Sequence, residues 1–203
     1  VAKDPASYEH VAPETVGNRR HVVVSDQAGK SNILARFAEL GIEVDPKHPN
    51  IDKLVRLVKQ REFDGYAYDG AEASFEMLAR RMLGQVPEYF RLERFSVVDE
   101  RRFNARGQLV TESEATVKVR VGNELRHEVA DGNGPVNAID RALRKALEPS
   151  YPVLTKMKLV DFRVRILKAT EASGAMPRVL IESANGQGRR WSTVGVSTNI
   201  IDA

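Results

Sequence analysis

The sequence predicts an α+β fold in which helical linker subdomains precede a pseudo-symmetric pair of strand–strand–strand–helix units. The hydrophobic period changes from helical to two near residue 86. The C-terminal half also contains a weak internal repeat, and such repeats reveal architecture that local propensity misses. The repeat aligns Leu92, Phe95 and Val97 with Leu159, Phe162 and Val164, and then residues 128–138 with residues 193–203.

Residues 1–86 are predicted to be mostly helical and are assigned to the linker subdomains. Apolar residues recur at helical spacing in 33–40, 51–58 and 75–82. Gly41 and Gly84 are placed to stop the first and third of these helices. We expect Asn50 to be the N-cap of the second helix. The β-branched run at 21–24 predicts one short strand.

Residues 87–203 are predicted to form a domain with two internal repeats, at about 88–150 and 155–203. Alternating apolar residues predict strands at 90–98, 115–121, 125–129, 157–167, 178–183 and 190–196. Turn sequences lie at 104–107, 121–124 and 184–188, and a helix follows at 136–147 with Pro135 in its first turn. The second repeat reaches the expected start of its helix only at Ala203, and the first residue is Val1. We therefore expect the chain to be part of a longer protein.

Composition excludes several classes of function. The chain has 203 residues, of which 42% are hydrophobic and 29% charged, with a net charge of +3. The charges are balanced and no basic cluster is interleaved with aromatic residues, which argues against nucleic acid as a partner. No apolar run is long enough to span a membrane. The absence of cysteine excludes disulfides and is consistent with a cytoplasmic location.

No complete active site is predicted from the residues. The histidines, His10, His21, His48 and His127, do not have the spacing of metal ligands. No nucleophile elbow, phosphate-binding loop or dinucleotide fingerprint is present. We therefore expect a non-catalytic chain with no metal and no cofactor of its own.

One segment, residues 131–135, is a candidate for binding a ligand. Its glycines allow close backbone approach, and a helix begins here with N–H groups that have no partner within the helix. Such a site suits a carboxylate or a phosphate. The alternative is a plain strand-to-helix turn, which spacing alone favours.

Five stretches resemble the region that follows the catalytic barrel in citramalate synthases, which belong with the 2-isopropylmalate and homocitrate synthases. They are SYEHVAPETVGNRR at 7–20, VSDQAGKSN at 24–32, GYAYDGAEASF at 65–75, GNGPVNA at 132–138 and WSTVGVSTNII at 191–201. The resemblance spans nearly the whole chain, with the motifs in the family's order.

The resemblance implies that the chain is a regulatory region of an acyltransferase that condenses acetyl-CoA with a 2-oxo acid, pyruvate for a citramalate synthase. The reaction of this family takes place on a divalent metal in a TIM barrel, which would precede Val1. The chain itself would then contribute to catalysis only through its linker, where Tyr8 and His10 could reach the active site of the partner subunit.

The resemblance also implies a homodimer formed through the C-terminal domain and inhibited by an end-product branched-chain amino acid, isoleucine for citramalate synthase. We expect Asn133, Gly134 and Pro135 to hold its carboxylate through backbone N–H groups, although Pro135 has none, and Asp131 to pair with its ammonium. The other expected contacts are Gly132, Ala138, Ile139, Ala142, Val196, Ser197 and Thr198. For each apolar residue in this set, packing in the core is the alternative.

Two alternatives stay open. The region could belong to a 2-isopropylmalate synthase with leucine as effector, since a shift of one methyl group is worth only about 1–3 kcal/mol in an apolar pocket. It could also be a structural dimerisation module without an effector site. A regulatory, amino-acid-binding module and a purely structural module differ in whether the cleft beside Gly134 is open and lined with backbone donors or filled by side chains. Residues 31–83 are expected to transmit any regulatory signal.

Overall fold

The computed structural model describes residues 11, 13–17, 29–167 and 176–203. The expected strand at 21–24, Tyr8 and His10 lie outside the described residues. The chain divides into two compact units, residues 1–63 and 64–203. The domain boundary at residue 86, inferred from the change of hydrophobic period, stays a prediction.

The first unit contains two of the expected helices, α1 (Lys30–Glu39) and α2 (Pro49–Phe63). Their apolar stripes are buried, as the helical spacing predicts. The expected N-cap at Asn50 is wrong, because α2 already begins at Pro49, where the missing N–H costs nothing. The ring Nδ1 of His48, just before the helix, accepts the Asn50 N–H at 3.2 Å instead.

The second unit begins with a short 3-10 helix, Tyr68–Gly70, and continues with α3 (Glu72–Met82). Two three-stranded antiparallel sheets follow, each with its strands in chain order. The first sheet consists of β1 (Arg91–Phe103), β2 (Leu109–Val121) and β3 (Glu124–Gly132), and leads into α4 (Pro135–Leu147). The second sheet consists of β4 (Lys158–Leu167), β5 (Met176–Ala184) and β6 (Arg190–Val196). The α+β class and the strand units predicted from the sequence are confirmed.

The internal repeat is present in the registers of the two sheets. Phe95 pairs with Val117 in the first sheet, and its counterpart Phe162 pairs with Ile181 in the second. The pairing is interrupted after Leu92 in one sheet and after Leu159 in the other. These are the first matched residues of the repeat, so the two units share an irregularity as well as a strand pattern.

In two hairpin turns, an asparagine side chain accepts hydrogen bonds from the backbone of its own turn. The side-chain oxygen of Asn104 accepts the N–H groups of Arg106 and Gln108, at 2.9 and 3.0 Å. Asn185 accepts the N–H groups of the residues two and four positions later, both at 3.0 Å. An asparagine that bonds the backbone ahead of it stabilises the turn locally, which is why the sequence predicts both turns.

The core of the first repeat lies between the first sheet and α4. Alanines at every fourth position of the helix face the sheet and are fully buried: Ala138, Ala142 and Ala146. Their small side chains let the helix lie close to β2 and β3. At Gly132 the approach is closest, since an added Cβ would lie 2.4 Å from the backbone nitrogen of Ala138.

The end of α4 is held by Arg126 of β3. Its guanidinium donates to the carbonyl oxygen of Ala146 at 2.7 Å and to the hydroxyl of Ser150 at 2.9 Å. A cation at this end also suits the helix dipole. The same guanidinium donates to Glu124 at 2.7 Å, and this hydrogen bond, with the positive charge, lowers the pKa of Glu124.

The linker segment of the second unit is attached to the second sheet. The Ser74 hydroxyl of α3 accepts the N–H of Val194 in the edge strand β6 at 2.9 Å. Arg178 donates to the carbonyl oxygen of Gly65 at 2.5 Å. Gly65 has a φ of +106°, and an added Cβ would lie 2.2 Å from Leu167, so this contact requires glycine.

The close packing at Gly132 gives a stability prediction. Gly132→Ser should lower the free energy of unfolding by about 1–3 kcal/mol, because its Cβ would push against the backbone of α4. Gly134→Ser is the matched control, since nothing lies within 4 Å of its Cβ and serine is a good N-cap residue. Urea unfolding of both variants checks the prediction, which fails if the two substitutions have equal effects.

Candidate functional site

A cleft of about 870 Å³ lies between α4 and the second sheet, within the second unit. We call it the α4 cleft. Its walls are the start and one side of α4, the inner face of β4–β6, and the last residues of the chain. The residues of α4 and the preceding turn that line it are Asn133, Gly134, Pro135, Val136, Asn137, Ile139, Asp140, Leu143 and Arg144.

Two apolar stripes of α4 face different neighbours. The alanine stripe faces the first sheet and belongs to its core. A second stripe, displaced by one residue, carries Ile139 and Leu143, which pack at the margin of this core and also line the α4 cleft. The helix therefore serves both as the cover of one sheet and as a wall of the cleft.

The floor of the cleft is the counterpart of a face that is buried in the first repeat. Val179 and Ile181 line the cleft, and they correspond by register to Ala115 and Val117, which α4 covers. The last residues make a turn in which the Asn199 carbonyl oxygen accepts the Ala203 N–H at 3.1 Å, in the same pattern as the Gly134 carbonyl oxygen accepts the Ala138 N–H at 2.9 Å. The second helix expected from the repeat stays a prediction.

The start of α4 lines the cleft, and its first turn has backbone donors without acceptors in the helix. Gly134 is the N-cap in an extended conformation, and Pro135 occupies the first helical position. The N–H groups of Val136 and Asn137 belong to the first turn, which has no acceptors within the helix. Together with the helix dipole they favour an anionic group. The Asn133 N–H is engaged, since it donates to the side-chain oxygen of Asn137 at 3.2 Å.

Four of the residues expected at a ligand lie together in the cleft: Asn133, Gly134, Pro135 and Ile139. Ala138 and Ala142 face the other way and are fully buried in the core of the first repeat. Gly132 is explained by its close contact with α4.

Asp131, Val196, Ser197 and Thr198 are absent from the cleft lining. Asp131 pairs with Glu114 on the outer face of the first sheet, on the side away from α4. Val196, at the end of β6, lies beside Gly65. Asp140, which lines the cleft and accepts from Arg144 at 2.8 Å, is the carboxylate that the geometry offers in place of Asp131.

Several cleft residues were not anticipated from the sequence as parts of a site. They come mainly from the second sheet: Phe162, Ile181, Trp191 and Thr193. The strand alternation contains the signal, because Phe162 and Ile181 are the repeat counterparts of Phe95 and Val117 on the helix-covered face. Trp191 is the single tryptophan of the chain, which makes it a natural reporter of the cleft.

Arg144, which lines the cleft, connects α4 to the segment that leads into β4. Its guanidinium donates to the carbonyl oxygens of Leu154 and Met157, at 2.8 and 3.2 Å. These acceptors lie in and just after the 3-10 helix Pro152–Lys156, which connects α4 to β4. One side chain therefore ties the helix of the first repeat to the start of the second.

The described parts of the chain contain neither a metal-binding cluster nor a membrane-spanning helix. No group of three or more histidine, aspartate and glutamate side chains there is arranged to hold a metal ion. No helix in those parts has the length and apolar character needed to cross a membrane.

The fold and the cleft define an α+β module built from an internal repeat, with one apolar cleft against its helix. A sequence profile of the LeuA allosteric (dimerisation) domain matches residues 69–203. The chain belongs to this family.

The chain is also similar, over its own full length, to part of several synthases. The chain is 48% identical over 203 residues to an (R)-citramalate synthase of Geobacter sulfurreducens and 46% identical to that of Aquifex aeolicus. It is 28% identical over 210 residues to a 2-isopropylmalate synthase of Escherichia coli. Each match includes all of this chain but only 35–38% of the relative. The chain thus spans little more than a third of the length of these relatives.

The role of Arg144 can be tested by stability. Arg144→Gln should lower the free energy of unfolding by about 2 kcal/mol, because two part-buried carbonyl groups lose a charged donor. Arg163→Gln is the matched control, since that side chain is exposed and its ion pair is with Asp161 on the same strand. Thermal unfolding of both variants is the measurement, and an equal loss in the two would contradict this role.

Proposed function

We propose that the chain is the regulatory region of an acyltransferase that condenses acetyl-CoA with pyruvate, as its resemblance to citramalate synthases implies. The family match and the similarity over the full chain support this assignment. The difference between 48% and 28% identity favours a citramalate synthase over a 2-isopropylmalate synthase. The divalent metal and acetyl-CoA would bind elsewhere in the whole protein, and a cytoplasmic location stays a prediction.

We further propose that isoleucine is the effector and that it binds in the α4 cleft. The observation that carries this proposal is the position of backbone donors at the start of α4 next to an apolar wall. A carboxylate would accept from the first turn of α4, and a branched side chain would contact Ile139 and Leu143. The ammonium would face Asp140, whose carboxylate also accepts from Arg144.

The regulation that we propose acts through a homodimer. An effector inhibits only by the difference between its affinities for the active and inactive arrangements. Within the second unit, the contact of Ser74 with β6 offers a mechanical connection from the sheet beside the cleft to the linker segment. Feedback inhibition of the whole protein would use this connection.

The size of the cleft favours a second candidate, a structural dimerisation module. At about 870 Å³ the cleft is far larger than one amino acid requires, and its floor corresponds to a face that α4 covers in the first repeat. A helix rather than a small molecule would then fill it. Leucine is the alternative effector if the cleft does bind an amino acid.

Titration distinguishes these candidates. We expect isoleucine to bind saturably and more tightly than leucine or valine in calorimetry, with a parallel change in the emission of Trp191. A preference for leucine would assign the leucine alternative. Heat without any change in Trp191 emission would place the ligand outside the cleft. Absence of binding by all three would leave the structural module.

A single substitution tests the carboxylate position. Asn133→Asp should weaken isoleucine binding at least about tenfold, because a new negative charge would face the carboxylate. The fold should not suffer, since an acidic residue is favourable at the start of a helix. Asn123→Asp, in the tight turn between β2 and β3, is the matched control. Unchanged affinity in the Asn133 variant would contradict the proposed orientation.

A further inference from the structure

We propose that the face of the first sheet turned away from α4 binds the same face of a second copy of the chain, with the two β2 strands antiparallel. Glu114 of one copy would then meet Lys118 of the other. This inference names the surface of the homodimer proposed above and therefore rests on that dimer. It does not depend on an effector.

The charges of β2 on this face are antisymmetric. Side chains on one face of a strand alternate, and those of β2 that point away from the buried Ala115 and Val117 centre on Thr116. Acidic residues lie on one side of Thr116, at Glu112 and Glu114. Basic residues lie on the other side at the same intervals, at Lys118 and Arg120. One end of the face is therefore negative and the other positive.

The neighbouring strands widen this charge separation. Lys118 is directly paired with Arg94 of β1. Glu114 is directly paired with Asp131 of β3. Groups of like charge directly opposite each other in a sheet are destabilising. Charges of the opposite sign from another molecule would offset that cost.

The inner charged residues are the ones without partners. Among the residues that the structure describes, Arg94, Glu114 and Lys118 form no ion pair. The outer ones are already engaged, since Glu112 accepts from Arg102 at 3.1 Å and Arg120 donates to Glu93 at 2.6 Å. The unpaired charges are thus concentrated near the centre of the face.

The face also has exposed apolar side chains at its centre. Val129, which pairs with Thr116, is 42% exposed, and Val98, which pairs with Glu114, is 59% exposed. The opposite face of the same strands is buried under α4. A second sheet packed on this face would remove these two valines from water, which is favourable.

A two-fold axis makes this surface self-complementary. If the axis lies between two such sheets, perpendicular to the β2 strands and level with Thr116, each residue of β2 meets the one equally far on the other side of Thr116. Glu114 then faces Lys118, and Asp131 faces His127. Packing with the β2 strands parallel would instead place like charges together. The charge pattern therefore selects the antiparallel arrangement, and a second copy supplies it without any other partner.

Complementary charge reversal tests the interface in the chain as it stands. Glu114→Lys places two lysines opposite each other twice in every dimer, and Lys118→Glu does the same with glutamates. Each variant alone should therefore raise the dimer dissociation constant at least about a hundredfold. An equimolar mixture of the two variants restores an opposite pair at both contacts, so it should dimerise again. Sedimentation equilibrium measures all three samples.

Each outcome decides the matter. Dimeric wild type, monomeric single variants and a dimeric mixture support the interface. Single variants that stay dimeric, or a mixture that stays monomeric, overturn it while leaving the homodimer in place. A monomeric wild type overturns both the interface and the homodimer. Lys158→Glu, an exposed reversal on β4, is the matched control and should leave the dimer intact. Circular dichroism checks that every variant is folded.

Discussion

The structure of the second unit depends on one constraint, which is that each three-stranded sheet has an apolar face that has to be covered. In the first repeat α4 covers this face. It does so with alanines at every fourth position and a contact at Gly132 that is too close for any side chain. This packing fixes where the helix begins, and so places its first-turn donors at the edge of the cleft. It also turns the second stripe of α4 towards the second sheet. The cleft and the exposed outer face both follow from this arrangement.

Much of this fold could be predicted because its signals are local or periodic. Strand alternation and helical spacing identify the elements. The turns can be predicted as well, because asparagines such as Asn104 and Asn185 form hydrogen bonds with the backbone of their own turn. The repeat predicted more than local signals could, since it aligned Leu92 with Leu159, where both sheets have an irregular register. Such matches show that the two sheets share a strand register as well as an alternation of apolar residues.

The lining of the α4 cleft is harder to predict from the sequence than the fold, because it depends on which way α4 faces. Ala138 and Ile139 are neighbours on a helix with two apolar stripes, and periodicity alone does not say which stripe faces the sheet. Only the small size of the alanines, which permits close packing, distinguishes them. For Asp131 the signal existed, since Ala130 points inward and the next residue of a strand points outward. Trp191 enters the cleft through long-range strand pairing, which the sequence does not contain.

The turn after β3 connects the two proposed binding surfaces. Asp131 lies on the outer face of the first sheet, and Asn133 and Gly134, only two and three residues later, line the cleft. A ligand that shifts the start of α4 therefore acts on the strand end that carries Asp131. By linkage, an effector that binds the dimer more tightly than the monomer strengthens dimerisation by the same factor for each site. An effector with equal affinity for both leaves dimerisation unchanged. Regulation through this turn thus requires the two surfaces to be thermodynamically coupled, and the short strand–helix connection between Asp131 and Gly134 offers a physical means.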